Sequence, residues 1–317
     1  MSMNSTDKLY GYRSYSSHNS VENKGDVLKA YMQLCKLRIS AFAALSALTG
    51  SILVSAALTS VMLVTMAGVF ILACGAGALN QYQERACDAR MKRTGSRPIP
   101  AGMVEASHAL YIAVSLIVTG VFIMLLSGGW VVAGLGLFAL VWYNLVYTNL
   151  KQVTAFAAVP GAIVGAIPPA IGWVAGGGSL HDYALMPICF FFFMWQVPHF
   201  WFLLFSHEED YKTSELPALV KIFNRDQFGR IAIIWTMATA VSLFLIPLFG
   251  IMLSDIALLL LGIASVWLVW CGSYHLQKAN DVVAYYTAFK NMNIYMLIVM
   301  AVLNIERLLK GSRFLGV

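Results

Sequence analysis

Nine apolar runs, each about as long as a membrane-crossing helix, take up most of the chain. They fall near residues 39–58, 61–80, 105–126, 130–148, 153–175, 184–205, 230–253, 255–277 and 287–309. An α-helix rises 1.5 Å per residue, so about 20 apolar residues cross the hydrocarbon core of a bilayer. The runs are continuous, whereas a membrane β-barrel alternates polarity over segments of about ten residues. The fold class that follows is all-α, a polytopic membrane protein with nine transmembrane helices. Composition agrees: 59% of the 317 residues are hydrophobic and 11% are charged, against about 25% charged in an ordinary soluble domain. A water-soluble enzyme is excluded.

The polar segments between the runs give the orientation. Residues 1–34 are polar and contain no apolar stretch of the kind a cleavable signal needs. They are expected to form a flexible tail ahead of a transmembrane domain at 35–317. Eighteen of the 21 Lys and Arg residues fall ahead of run 1, with Lys36 and Arg38 counted there, or with the connections after runs 2, 4, 6 and 8. The other three, Arg307, Lys310 and Arg313, lie at the C-terminus. The positive-inside rule then puts the N-terminus in the cytoplasm and the C-terminus outside. The net charge of +6 reflects this topology and calls for no nucleic-acid partner. Cys35, Cys74, Cys87, Cys189 and Cys271 are widely spaced and form no CxxC pair, so neither a zinc site nor a covalent haem is indicated.

Acidic residues are few, and eight of the fifteen lie in two connections on the same side: Glu84, Asp88 and Glu105 after run 2, and Glu208, Glu209, Asp210, Glu215 and Asp226 after run 6. Asn80, Glu84 and Asp88 recur at intervals of four. At 3.6 residues per turn they drift about 40° per step and share one helix face, about 6 Å apart along the axis. Such a row suits Mg²⁺, which binds through one or two carboxylates and completes its shell with substrate phosphate oxygens. Arg93 and Arg97 follow directly, placed to grip phosphate oxygens bidentately. Tyr147 and Lys151 form a second pair four residues apart. His199, within an apolar run beside Gln196, is an ionisable group inside the membrane and therefore a candidate functional residue. The Gly- and Pro-rich run 5 and the aromatic run 6 offer a chamber for a flat or isoprenoid ligand, though such an aromatic stripe equally serves as packing.

These motifs resemble the UbiA superfamily of intramembrane prenyltransferases. The resemblance rests on N-x-x-x-E-x-x-x-D-x-x-M-x-R-T-x-x-R-P-I-P-x-G at 80–102, on Tyr147 to Lys151 with G-A-I-P-P-A-I-G-W at 165–173, and on W-Q-x-P-H-F-W with E-D-Y at 195–211. The last signature is similar to the branch that farnesylates haem. Glu84 stands where the superfamily often has Asp, Ser206 where relatives outside that branch have Asp, and Leu37 interrupts the usual Lys-Pro-Arg opening of the first helix. The resemblance implies transfer of a farnesyl group from farnesyl diphosphate to a vinyl group of haem b, in a bacterial cytoplasmic membrane. Mg²⁺ would be held by Asn80, Glu84, Asp88 and Asp210. Arg93, Arg97 and Lys151 would serve the diphosphate with Lys212 as a further phosphate contact, Tyr147 and Glu209 would be substrate-binding, and His199 would orient haem. A haem A synthase or terminal-oxidase assembly proteins are the partners it suggests. Two rival readings are a sister enzyme with a quinone-type acceptor and a transporter. A transporter predicts ionisable residues at mid-depth or inverted repeats, whereas the acidic residues here gather at one face.

Overall fold

The computed structural model describes residues 24–277 and 282–314. Most of the expected tail, residues 1–23, lies outside them, as do the 278–281 connection and residues 315–317. The described chain is helical, and no strand occurs in it. We number the helices α1 (Lys24–Leu34), α2 (Leu37–Ser55), α3 (Ser60–Asp88), α4 (Ala106–Val141), α5 (Ala158–Ala175), α6 (Leu185–Phe205), α7 (Glu208–Thr213), α8 (Arg225–Leu248), α9 (Asp255–Gln277) and α10 (Val282–Phe314). The last eleven residues of the expected tail are thus the helix α1. It buries Ala30 and Leu34 against Ala78 of α3 and Ala109 and Ala113 of α4, and the Gln81 side chain donates to its last carbonyls, those of Gln33 and Leu34.

Eight stretches are long and apolar enough to cross a membrane, and one of them, Ala106–Leu150, spans 45 residues. A straight helix of that length would measure roughly 68 Å, twice what a bilayer needs. It is broken at Gly129, whose φ of 74° and ψ of −167° are open only to glycine. Beyond the break the chain folds back, since a Cβ at Gly136 would stand 2.6 Å from the side chain of Met124, twelve residues earlier. Both limbs lean on Leu72 of α3. Counting the limbs separately gives nine crossings among the described residues, in agreement with the apolar runs.

Packing follows the small residues. At the crossing of α2 and α5 the backbones touch: a Cβ at Gly172 would lie 1.7 Å from the Ala47 carbonyl oxygen, and one at Gly50 would lie 2.0 Å from that of Pro169. Only glycine permits this approach, and Ser51 Oγ fastens it by donating to the Gly172 carbonyl at 2.7 Å. Pro198 in α6 leaves the Met194 carbonyl without its helical donor, and Thr239 Oγ1 of α8 supplies one at 2.9 Å. The largest apolar cluster centres on α6, where Phe191, Phe192, Trp201, Phe202 and Phe205 are buried against α8, α9 and α10. Much of the aromatic content of run 6 is therefore core. Val118, Phe122 and Leu126 of α4, among others, turn outward, as expected for side chains that meet lipid.

Candidate active site

At its site end α3 carries a row of buried polar groups: Asn80, Glu84 and Asp88 are 3%, 7% and 4% exposed. They share one face because they are four residues apart on a helix. Each is occupied by a partner. Asn80 Oδ1 accepts from Lys36 Nζ at 2.7 Å and from the Tyr143 hydroxyl at 3.2 Å, while its Nδ2 donates to Thr148 Oγ1 at 3.2 Å. Glu84 forms an ion pair with Lys151 and lies 3.9 Å from Arg97. Asp88 accepts from Arg97 at 2.5 Å. Residues from α3, the α3–α4 connection and the end of α4 thus converge on one charged cluster, as their spacing predicts.

The end of α4 is shaped by a π-helical turn at Trp142–Tyr147. The widened turn re-aims the side chains after it. Asn144 is pinned to α3 through Gln83 Oε1 at 3.0 Å and the Ala76 carbonyl at 3.1 Å. This brings Tyr143 to Asn80 and stacks the Tyr147 ring on Phe200 of α6, with centroids 5.7 Å apart and planes 8° from parallel. Gly161 leaves room for that ring, since a Cβ there would come within 2.4 Å of it.

The second acidic motif divides over α7. Asp210 Oδ2 accepts from the backbone N–H of Arg93 at 3.0 Å and so joins the α3–α4 connection. Arg93 keeps its side-chain Nε buried without a hydrogen-bond partner. Glu209 is exposed and stands apart from the cluster. The buried carboxylate of this motif is Glu208, on the opposite edge of α7 from Asp210, paired with Lys212 and with Arg225 at 2.9 Å. Burial, the largest influence on Glu208, pushes its pKa up, but the two cations together hold it below the usual value. Lys212 therefore pairs with Glu208. His199 stands among the rings of Trp195, Phe200 and Phe289.

Lys36, Tyr143 and Thr148 are residues of the cluster that the sequence reading gave no role. Lys36 sits between α1 and α2 in a left-handed conformation (φ 47°, ψ 46°), a strained backbone for a residue with a Cβ. Burial and then the nearby Arg97 lower its pKa to about 7. Its sequence signal was the Lys36-Leu37-Arg38 opening of the first long helix.

The donor chemistry fits a hard divalent cation, with two buried carboxylates, a carboxamide oxygen and Asp210 at one end of the bundle. Among the described residues no three Asp, Glu, His or Cys side chains converge on one point. A metal here would have to complete its shell from substrate phosphate oxygens, which is how Mg²⁺ is usually bound.

A bundle of nine crossings with buried carboxylates and cations at one end suits an anionic substrate met at a membrane, and the family match makes the chain an intramembrane enzyme of the prenyltransferase class. The chain matches the UbiA prenyltransferase family over residues 39–297 and belongs to that family. Among similar proteins, a protoheme IX farnesyltransferase of Geobacter sulfurreducens is 39% identical over 219 residues, 69% of this chain and 81% of that one. Another, from Oleidesulfovibrio alaskensis, is 30% identical over 90% of this chain and 99% of its own. A solved UbiA homolog from Archaeoglobus fulgidus, bound to GPP and Mg²⁺, superposes with a TM-score of 0.61 at 12% identity, covering 86% of this chain and 99% of that one.

Proposed function

We propose that this prenyltransferase transfers the farnesyl group of farnesyl diphosphate to a vinyl group of haem b, giving haem O. The observation that carries the reading is the buried Glu84–Asp88 pair, ringed by Lys36, Arg97 and Lys151 beside the Tyr147–Phe200 stack. The names of the similar proteins support haem as the acceptor. In this reading Lys36, Arg93, Arg97 and Lys151 bind the diphosphate and neutralise charge as it leaves. Mg²⁺, held by Glu84, Asp88 and Asp210 with Asn80 beside them, supplies further neutralisation of the leaving group. Tyr143, Tyr147 and Phe200 present π faces along which an allylic cation is stabilised. The surrounding helices keep out bulk water that would capture that cation before the vinyl group does.

In this reading the site end of the bundle and the N-terminus face the cytoplasm of a bacterial inner membrane, and the Lys and Arg bias supports that orientation. The product is more apolar than haem b and stays in the bilayer, so a haem A synthase or oxidase-assembly proteins are the expected recipients. The test is incubation of membranes carrying the chain with haem b, Mg²⁺ and farnesyl diphosphate, followed by mass analysis of extracted haem. A hydroxyethylfarnesyl product is expected, because one water adds to the carbocation left by attack of the vinyl group and a proton is released, with diphosphate as the leaving group. Consumption of farnesyl diphosphate with haem unchanged and an aromatic quinone precursor prenylated instead would overturn the acceptor.

A further inference from the structure

The sides of α1 differ in character. Ala30 and Leu34 point one way and are buried against α3 and α4. Roughly 160° around the helix, at about 100° per residue, stand Leu28 and Met32, which are 63% and 48% exposed. Asp26, Lys29 and Gln33, all exposed, share one flank between these two sides. Val27 and Tyr31 form the other flank, and Tyr31 meets the His108 ring of α4 edge-on with centroids 6.0 Å apart. The bundle therefore accounts for the inner apolar side of α1 and leaves the outer one uncovered.

The position of α1 says what covers it. Its inner side packs on Val104, Ala109 and Ala113. Ala113 is the eighth residue of α4, roughly 10 Å from the start of that helix, so α1 lies at the level where the bundle leaves the bilayer. Tyr111 and Val114 in the same stretch of α4, and Ile39 in the first turn of α2, are exposed. The outer side of α1 thus continues the apolar surface that α2 and α4 turn to lipid. A helix lying in the headgroup layer has this division, with a charged flank toward water and an apolar side buried about 5–10 Å into the acyl boundary.

After α1 the chain turns sharply. Lys36 adopts its left-handed conformation, and its Nζ donates to Asn80 Oδ1 at 2.7 Å and to the Tyr143 hydroxyl at 3.3 Å. Such a backbone persists only where the structure on both sides holds it. On one side stands α2, clamped to α5. On the other stands α1, whose 11 residues are too few for a stable helix without a surface to lie on.

We propose that α1 is an interfacial helix, docked through Leu28 and Met32 on the bilayer surface at the site end, and that this lipid contact holds the Lys36 corner against Asn80. The docking is independent of the reaction. Its effect on substrate rests on the reading of Lys36 as a diphosphate ligand.

The experiment uses the full-length chain in nanodiscs. A fluorescent non-natural residue is placed singly at position 28, 29 or 32, and the lipids are brominated high on the acyl chain. Strong quenching is expected at 28 and 32 and little at 29. Equal quenching at 28 and 29 overturns the docking, and so does its absence at 28 and 32, which would mean that water or a second copy of the chain meets that side. The Leu28→Gln/Met32→Gln double variant removes the lipid contact and leaves the packed side intact. Its KM for farnesyl diphosphate should rise about five-fold, the equivalent of one lost hydrogen bond, with kcat and the unfolding midpoint unchanged. Lys29→Gln should alter none of the three. An unchanged KM in the double variant overturns the link to Lys36, and a lower midpoint with lower kcat would make α1 a packing element only. Failure of the diphosphate reading would show separately, as a wild type that leaves farnesyl diphosphate intact while the quenching pattern holds.

Discussion

The two buried carboxylates of the cluster each stand against a cation, so removing either partner exposes what the other does. Glu84 and Asp88 sit at 7% and 4% exposure against Lys151 and Arg97. Glu84→Gln keeps the size and removes the charge, leaving Lys151 without its counter-ion and weakening any divalent cation at that face. Farnesyl transfer should fall about 100-fold, equivalent to about 2.7 kcal/mol of barrier, whereas Glu84→Asp should retain measurable turnover. Raising Mg²⁺ should partly rescue Glu84→Gln, and near-normal turnover of that variant at limiting Mg²⁺ would remove Glu84 from the metal site. Lys36 allows a second test. Its pKa of about 7, lowered by burial and by Arg97, means that the ammonium facing Asn80 is charged below that pH and loses its proton above it. An anionic substrate needs the charged form, so kcat/KM for farnesyl diphosphate should fall as pH rises through about 7, because that ratio reports the free enzyme. Lys36→Arg stays charged throughout and should flatten this limb. A limb that persists in Lys36→Arg would assign it to another group.

At the level of elements, the sequence was most informative where one physical signal acts locally. Membrane-length apolar runs need no tertiary partner to be recognised, and the i, i+4 row of Asn80, Glu84 and Asp88 follows from helical periodicity alone. What it hid depends on partners far along the chain. Residues 24–34 read as polar tail because the apolar face of α1 is short, and its helix is completed by Ala78, Ala109 and Gln81. Tyr143 reaches Asn80 only through the π turn pinned by Asn144, a register change that hydropathy does not record. Run 6 could be read as chamber wall or as packing, and hydropathy does not divide the two: Phe191, Phe192 and Phe202 pack in the core while Phe200 faces Tyr147, a division set by α8 and α10. Glycines carry a similar hidden content. Gly172 lets α5 touch the Ala47 carbonyl of α2, and no side-chain motion can relieve a Cβ placed 1.7 Å from a backbone oxygen. Gly172→Ala is expected to destabilise the bundle by about 2 kcal/mol or more, read as a lower unfolding midpoint in detergent. Gly262→Ala in α9, where a Cβ meets nothing within 4 Å, should be neutral or slightly stabilising. Equal midpoints for the two variants would contradict the close crossing.

For the whole molecule, the number of crossings decides which side of the membrane each end occupies. The 45-residue stretch Ala106–Leu150 is the ambiguous segment. As one tilted helix it would give eight crossings and bring both ends of the chain to the same side. As a hairpin broken at Gly129 it gives nine and separates them. The positive φ of Gly129 and the approach of Gly136 to Met124 support the hairpin. The cationic residues give an independent reason. Arg85, Arg90, Lys92, Arg93 and Arg97 precede the first limb and Lys151 follows the second, while residues 106–150 contain no Lys or Arg. The first limb therefore starts and the second finishes on the Lys- and Arg-rich side, with the Gly129 bend on the other. A reporter active only in the cytoplasm makes this measurable. Fused within 152–156 it should be active, and fused at Gly128 or after Val317 it should be silent. Activity after Val317 with silence at both Gly128 and 152–156 would mean that Ala106–Leu150 crosses once, and α5 to α10 would then all be inverted. Activity at Gly128 with silence at 152–156 would keep the hairpin and reverse the whole molecule, which would place the carboxylate cluster outside the cytoplasm and out of reach of farnesyl diphosphate made there.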